Sequence, residues 1–139
     1  MAWVRCCGGG KKAPTIVSKS NGYGYKASSG YVNVDFDVEA GKHYKLYWGA
    51  TAGSDSPYGG NANWTAGQDI NDNGNATITT DSSAGGFIGT YGSNQYGYAT
   101  QIVSDIVATT TGTIRIRAFI KGDTGHTCGG GVYGTLVEV

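Results

Sequence analysis

The sequence has little charge and few of the residues that favour helices. Only 14% of its residues are charged, and ten basic groups balance ten acidic ones. A chain with no net charge has no global field to steer it towards nucleic acid or an anionic membrane. Leucine occurs only at Leu46 and Leu136, and glutamate only at Glu39 and Glu138. These absences argue against a helical protein and against a nucleic-acid-binding one.

Long apolar runs are missing as well. No stretch approaches the roughly 18 apolar residues of a membrane-spanning helix. The opening residues, MAWVRCCGGG, lack the apolar core of a signal peptide and reach a glycine run at Gly8. We therefore expect a protein that is made in the cytoplasm without a signal peptide and does not insert into a membrane.

The sequence is rich in glycine, with 25 residues, and in strand-favouring threonine, valine, isoleucine and tyrosine. Apolar and polar residues alternate most clearly at 31–38 and 43–48. The inner faces of these two segments are predicted to carry Val32, Val34, Phe36, Val38, Tyr44, Leu46 and Trp48. Because a short turn with a glycine joins the segments, we predict that they form a β-hairpin.

A second pair of strands is predicted at 101–110 and 114–120, joined through Thr111 and Gly112. Its inward residues are Ile114, Ile116, Ala118 and Ile120. Further strands are predicted at 132–139, 14–18, 23–27, 75–80 and 87–91. The polar stretch 49–74 is predicted to be one long surface loop.

About eight short strands separated by turns predict an all-β protein, an antiparallel β-sandwich with the jelly roll as the preferred topology. We expect residues 1–20 to be a flexible N-terminal arm and residues 21–139 to be a single sandwich domain. The arm is basic and the following body is rich in acids, which indicates docking of the arm on its own domain or on a neighbouring copy, with a solvated tail as the alternative.

The region from Tyr31 to Val139 resembles the compact jelly-roll domains of phage and prophage virion proteins, those of tail tips, fibres and head decorations. The features that carry this resemblance are the long strand TGTIRIRAFIKG, the loop HTCGGG and the closing strand VYGTLVEV. The resemblance implies a structural protein located in a virion or similar extracellular particle, forming a homo-oligomer such as a trimer. It transfers no functional residue.

One segment matches the opening of a calcium-binding loop. Asp69, Asn71 and Asn73 alternate ahead of Gly74, as the first oxygen ligands of such a loop do. The twelfth position, which normally holds a bidentate acid, is Thr80. Asn and Asp beside glycine are equally typical of a plain turn, so calcium binding stays the less favoured interpretation.

Three cysteines lie near the two ends of the chain, at Cys6, Cys7 and Cys128. If the terminal strands are neighbours, a disulfide could join Cys128 to Cys6 or Cys7, and with His126 the three could bind zinc. Adjacent cysteines are unusual spacing for zinc, and reduced, unpaired thiols are the favoured state. We expect no cofactor, with calcium as the one that remains open.

Catalytic motifs are lacking: the sequence has no G-x-S-x-G elbow and no phosphate-binding loop. The excess of tyrosine, with ten residues, is more informative. Exposed aromatic residues can stack on sugars or anchor protein interfaces, or they can merely cover the sandwich. We predict a glycan or receptor site in the polar stretch, with these residues: Tyr58, Asn61, Asn63 and Trp64.

The N-terminal arm is predicted to make subunit contacts through an apolar and a basic group: Trp3, Val4, Arg5, Lys11 and Lys12. We therefore expect a non-enzymatic assembly protein of a virion or similar particle, which associates with itself and with other particle proteins and contacts a surface glycan. The first alternative is a carbohydrate-binding module or lectin. The second is a filament subunit that exchanges an N-terminal strand.

Overall fold

A computed structural model of the chain describes residues 15–26, 29–54, 64–81, 89–91, 96–121 and 128–139. These residues form nine strands in two antiparallel sheets. Their bounds are β1 (Thr15–Lys26), β2 (Ser29–Val38), β3 (His43–Ser54), β4 (Trp64–Asn71), β5 (Ala76–Thr80), β6 (Gly89–Tyr91), β7 (Tyr96–Ala108), β8 (Gly112–Lys121) and β9 (Cys128–Glu138). Within these ranges no helix is long and apolar enough to cross a membrane.

The strand order is that of a jelly roll. Sheet A has the order β1-β9-β3-β7-β5 and sheet B the order β2-β8-β4-β6, so consecutive described strands always lie in opposite sheets. The pairs β1–β9, β2–β8, β3–β7 and β4–β6 nest inside one another. This nesting is what a single long hairpin with β5 at its tip gives when it is rolled into two sheets. The predicted antiparallel sandwich is therefore confirmed.

The core lies between the inner faces of the two sheets, where alternate residues of each strand meet. The predicted inner face of β2 is buried, as are Tyr44, Leu46 and Trp48 of β3. Ile114, Ile116, Ala118 and Ile120 of β8 are at most 1% exposed. The alternation in the sequence therefore identified which side of each of these strands faces the interior.

Both predicted strand pairs are wrong. Instead of pairing with each other, β2 pairs with β8 in sheet B, and β3 pairs with β7 and β9 in sheet A. The turns 39–42 and 109–111 each cross from one sheet to the other, and they contact each other: the Ala40 amide donates to the Thr111 hydroxyl at 3.0 Å. Consecutive strands that face each other across a core show the same alternation as a hairpin, so the pattern alone did not distinguish them.

The described part of the predicted long loop at 49–74 is also largely strand. Residues 49–54 continue β3, and β4 begins at Trp64. Ala50, Ala52 and Ala66 are buried on inner faces. These residues are small, so the stretch has a low apolar content although part of it contributes to the core. Likewise, residues 15–20 of the predicted arm belong to β1, which pairs with β9 along its length.

A β-bulge divides β7 into two halves. Trp48 of β3 is opposite Ile102 and Ala50 is opposite Ala99, so two residues of β7, Thr100 and Gln101, correspond to the single Gly49 of β3. The bulge shifts the alternation by one residue, which turns both Ala99 and Ile102 inward. Without it, one half of β7 would direct its apolar residues to solvent.

A polar pair lies inside this core. Ser104 is fully buried, and its hydroxyl accepts a hydrogen bond from the indole Nε1–H of Trp48 at 3.0 Å. The Ser104 hydroxyl also shares a hydrogen bond of 2.9 Å with the hydroxyl of Thr80 in β5. Ser104 therefore satisfies the one polar group of the largest side chain of β3 and links β3, β7 and β5.

Replacing Ser104 with alanine is expected to destabilise the protein by about 1–3 kcal/mol, because the buried indole N–H loses its acceptor. Urea unfolding of wild type, Ser104→Ala, Trp48→Phe and the double variant forms a double-mutant cycle. The double variant should cost less than the sum of the two single changes. The control is Thr79→Ala, an exposed residue of β5. Additive effects would contradict the proposed pairing.

Candidate functional site

The outer face of sheet A carries five exposed tyrosines. Each comes from an alternating position of β1, β3, β7 or β9 that points away from the core. They are Tyr23 (64% exposed), Tyr47 (48%), Tyr96 (59%), Tyr98 (61%) and Tyr133 (42%). We call this surface the tyrosine face. Five large exposed rings on one face make this surface a candidate binding site.

Glycines on neighbouring strands make room for three of these rings. The cross-strand pairs are Tyr23 with Gly131, Tyr96 with Gly53, and Tyr133 with Gly49. A Cβ atom at any of these glycines would collide with the ring of its partner. The rings therefore lie over the backbone of these glycines. They cover backbone that would otherwise be exposed, and this contact restricts the ring positions.

Gly49 is under an additional constraint from the bulge. A Cβ atom there would lie 2.7 Å from the main-chain oxygen of Ala99 as well as 2.6 Å from Cζ of Tyr133. At Gly53 the nearby atoms all belong to the exposed ring of Tyr96, which can move aside. A side chain at position 49 would thus collide with the main chain of β7. A side chain at position 53 would collide only with the ring of Tyr96.

Three open grooves lie on the tyrosine face and share Tyr133, with volumes of about 320, 230 and 530 Å³. The largest runs between Tyr47 and Tyr133 and includes both residues of the bulge, Thr100 and Gln101. Of the described residues that line the three grooves, only Lys19 carries a charge. The grooves therefore combine aromatic rings with neutral hydrogen-bonding groups.

The outer face of sheet B has a different chemistry, built on two arginine–aspartate pairs. Arg115 of β8 donates from Nε and Nη2 to the two carboxylate oxygens of Asp35 in β2, at 2.6 and 3.0 Å. Arg117 donates in the same two-pronged way to Asp69 in β4, with its Nε 2.6 Å from Oδ1. Because β8 lies between β2 and β4, these pairs connect three strands on the surface.

These contacts shift the titration of the groups involved. The hydrogen bond from Arg115 is the main reason that the pKa of Asp35 is lowered, with partial burial acting against it. The hydrogen bond with Asp69 likewise raises the pKa of Arg117. The four side chains are 27–42% exposed, so solvent screens the pairs and their contribution to stability is modest.

An aromatic cluster adjoins these pairs. The guanidinium carbon of Arg117 lies 4.7 Å from the centre of the Tyr31 ring, within the range of a cation–π contact. Tyr31 also packs edge-on against Phe119, with ring centres 6.4 Å apart, and remains 54% exposed. Phe119 in turn covers Gly67 of β4. We call Tyr31, Arg117 and Phe119 the sheet B cluster.

The residues of the predicted calcium loop have other partners in this structure. Asp69 is bound by Arg117, and the Oδ1 atoms of Asn71 and Asp72 accept from the amides of Asn73 and Gly74, at 2.8 and 2.7 Å. Asn73 adopts a positive φ of 52° and its side-chain amide donates to Thr113. Among the described residues, no group of three acidic, histidine or cysteine side chains is placed to hold a metal. Calcium binding stays a prediction, and turn formation accounts for these residue types.

Most of the other predicted site residues lie outside the described ranges. This holds for Tyr58, Asn61 and Asn63 of the predicted glycan site and for the predicted assembly residues: Trp3, Val4, Arg5, Lys11 and Lys12. Trp64 is not in a loop as expected, because it begins β4, where its backbone pairs with Tyr91. Cys128 begins β9, while Cys6, Cys7 and His126 are outside the description, so the disulfide and the zinc site stay predictions.

The convergence of these tyrosines on one surface was not predicted from the sequence. The excess of tyrosine predicted exposed aromatic residues, but the binding site was expected in the polar stretch 49–74. Two signals were available: the repeated Tyr-Gly-Tyr of 23–25 and 96–98, and the change of alternation between Ala99 and Ile102. The second signal predicts a bulge once residues 97–108 are recognised as one strand.

Removing Arg115 should raise the pKa of Asp35 towards the ordinary aspartate value of about 3.9. In wild type, the stability from this pair is fully present above that value and is lost as the pH falls through the lowered pKa of Asp35. NMR titration of the Asp35 carboxyl in wild type and Arg115→Gln measures the difference. Lys45→Gln, which breaks a 3.6 Å pair on sheet A, is the control and should leave Asp35 unchanged. Identical titration in wild type and Arg115→Gln would contradict the assignment.

The chain was compared with known protein families and curated proteins. No family model matches it, and no curated protein matches it significantly. The geometry and chemistry of the two sheet faces are therefore the basis for a functional assignment.

Proposed function

We propose that the protein is a non-enzymatic structural and binding subunit of a virion or similar extracellular particle, and that its tyrosine face contacts a glycan. The observation that carries this proposal is the group of five exposed tyrosines with grooves between them on one side of sheet A. This proposal places the glycan contact on a sheet face, whereas the sequence predicted it in the polar stretch 49–74.

The chemistry of the tyrosine face supports a glycan as its partner. A tyrosine ring offers a flat apolar surface for the C–H groups of a pyranose, and its hydroxyl offers a hydrogen bond at the ring edge. Neutral polar groups lie around the rings: Asn21, Thr51, Thr100, Gln101 and Thr135. By contrast, a permanent protein interface is normally more hydrophobic and resembles a domain core. The described residues of these grooves include only Val103 and Val132 as aliphatic side chains.

The particle context is supported by the fold and by the resemblance of the later strands to virion proteins. Jelly rolls occur in viral capsid proteins and in lectins, so this fold is compatible with assembly and with sugar binding. Because fold alone does not determine function, the resemblance contributes only the context. The tyrosine face contributes the proposed activity.

The sheet B cluster favours a second role, contact between copies of the chain in a homo-oligomer. Tyrosine, arginine and phenylalanine are enriched at the centres of protein interfaces. Arg117 is held in place by Asp69 and Tyr31 before any partner arrives, which lowers the entropic cost of association. The tyrosine face would then remain accessible on the outside of the assembly.

Replacing Tyr47 and Tyr98 with serine should weaken glycan binding without unfolding the protein, because both side chains are about half exposed or more (48% and 61%). A glycan array identifies a bound sugar, and calorimetry with that sugar in solution measures each site independently of avidity. We expect at least about a tenfold loss of affinity, equivalent to about 1.4 kcal/mol. Tyr31→Ser, on the other sheet, is the control and should bind as wild type. Binding retained in the double variant would refute the assignment of this face.

For self-association the roles of the same variants reverse. Tyr31→Ser should reduce the oligomer, because it removes the exposed ring of the sheet B cluster, whereas Tyr47→Ser/Tyr98→Ser should not. Size-exclusion chromatography with light scattering gives the mass of each species. A wild-type monomer, or an unchanged oligomer in Tyr31→Ser, would rule out this contact.

A further inference from the structure

The largest groove of the tyrosine face contains an unusual backbone conformation. Gln101, in the bulge of β7, has a φ of 59°, in the left-handed region that glycine adopts freely and other residues adopt at a cost. Among the described non-glycine residues the only other case is Asn73, with φ of 52°. Asparagine tolerates this region well. Asn73 also lies in a turn that is stabilised by hydrogen bonds from the side-chain amides of Asn73 and Asn75 to the main-chain oxygen of Thr113.

Glutamine in the bulge lacks the short polar side chain that lets asparagine stabilise this conformation by local hydrogen bonds. Glycine would meet the same backbone requirement without strain, and this chain uses glycine at 25 positions. The strained position carries instead a side chain with a primary amide, which both donates and accepts hydrogen bonds. Strained residues of this kind occur at binding sites more often than elsewhere, which makes the observed outlier a starting point for a functional assignment.

The surroundings of Gln101 indicate what the amide would recognise. The groove has a volume of about 530 Å³ and is lined by Tyr47, Tyr133, Thr100, Thr135 and Val103, and its size is within the usual range of ligand sites, about 300–1,000 Å³. None of these described lining residues is charged. The nearest charges are Lys19 of β1, which lies opposite Thr135, and the pair of Lys45 and Asp105, which are two residues from Tyr47 and Val103 and 3.6 Å from each other.

The position of Tyr133 depends on the same bulge. Its ring occupies the space above Gly49, the single residue opposite Thr100 and Gln101. Because position 49 of β3 has no side chain, the Tyr133 ring can lie over it. The Gln101 amide comes from β7, the strand next to β3, and lines the same groove as this ring. Aromatic surface and a polar amide side by side are the two elements needed to hold a pyranose, by stacking and by hydrogen bonds to its hydroxyls.

We propose that the bulge groove is a subsite for a neutral pyranose, with Tyr47 and Tyr133 providing the ring surfaces and the amide of Gln101 binding sugar hydroxyls. This inference rests on the proposed glycan-binding function of the tyrosine face and assigns its substrate class and its polar contact. The absence of charge among the described lining residues favours a neutral sugar over a carboxylated or sulfated one.

The variant that tests the role of Gln101 is Gln101→Gly. It removes the amide and relieves the backbone strain, so the melting temperature should stay the same or rise. Binding should become about tenfold weaker, the loss expected for roughly 1.4 kcal/mol of hydrogen bonding. Greater stability with weaker binding is a combination that a purely structural role of Gln101 does not produce. Asn73→Gly is the matched control, because it removes the other positive-φ side chain and lies in a different turn.

The probes are the methyl glycosides of glucose, galactose, mannose and N-acetylglucosamine, with the methyl glycoside of sialic acid as the charged comparison. Titration is followed by the amide resonances of the ¹⁵N-labelled protein. We expect at least one neutral glycoside to shift the resonances of Tyr47, Gln101 and Tyr133, and the Asn73→Gly control to bind it as wild type does.

Other results separate the two proposals. If Gln101→Gly binds as wild type while Tyr47→Ser/Tyr98→Ser does not bind, the subsite is wrong and the glycan-binding face stands. The subsite is equally refuted if no neutral glycoside shifts these resonances, if sialic acid binds best, or if Gln101→Gly loses binding together with stability. If neither these glycosides nor any glycan of the array binds, both proposals fail.

Discussion

Every strand of this protein must turn its apolar side towards one shared interior, and most other features of the structure follow from this constraint. The bulge in β7 is an example. Ala99 and Ile102 are three positions apart, an odd number, so a regular strand could bury only one of them. Inserting Thr100 and Gln101 opposite Gly49 lets both point inward. The bulge then determines the left-handed backbone of Gln101 and the need for glycine at position 49.

The same constraint explains why the outer faces are free to differ. Once the core is filled by inner residues, outward positions are limited only by their cross-strand neighbours. On sheet A these neighbours are tyrosine and glycine, and the rings cover backbone that would otherwise be exposed. On sheet B they are arginine and aspartate, which pair across three strands because β8 lies between β2 and β4. One core therefore supports a tyrosine-rich surface on sheet A and a surface with arginine–aspartate pairs on sheet B.

The sequence contained enough information for the fold class and for the side of each strong strand that is buried. Alternation depends only on the local backbone, so the inward positions of β2, β3 and β8 could be predicted. Which strands pair is a different question, because a hairpin and two strands facing each other across a core share one pattern. The Arg117–Asp69 pair shows the consequence for the site: its residues are 48 positions apart and meet only through the β4–β8 register. The tyrosine face is assembled from four strands, so it could not be predicted without knowing which strands pair.

The stretch 49–54 shows how the core and the candidate site place opposite demands on one strand. Ala50 and Ala52 face inward and contribute to the core, while Gly49 and Gly53 face outward beneath tyrosine rings. Small residues on both sides make this segment look like a polar loop in the sequence. In the sheet they leave the outer surface low enough for rings from β7 and β9 to lie across β3. The small size of these residues is thus a condition for the aromatic surface above them. Larger side chains there would remove the grooves around Tyr133.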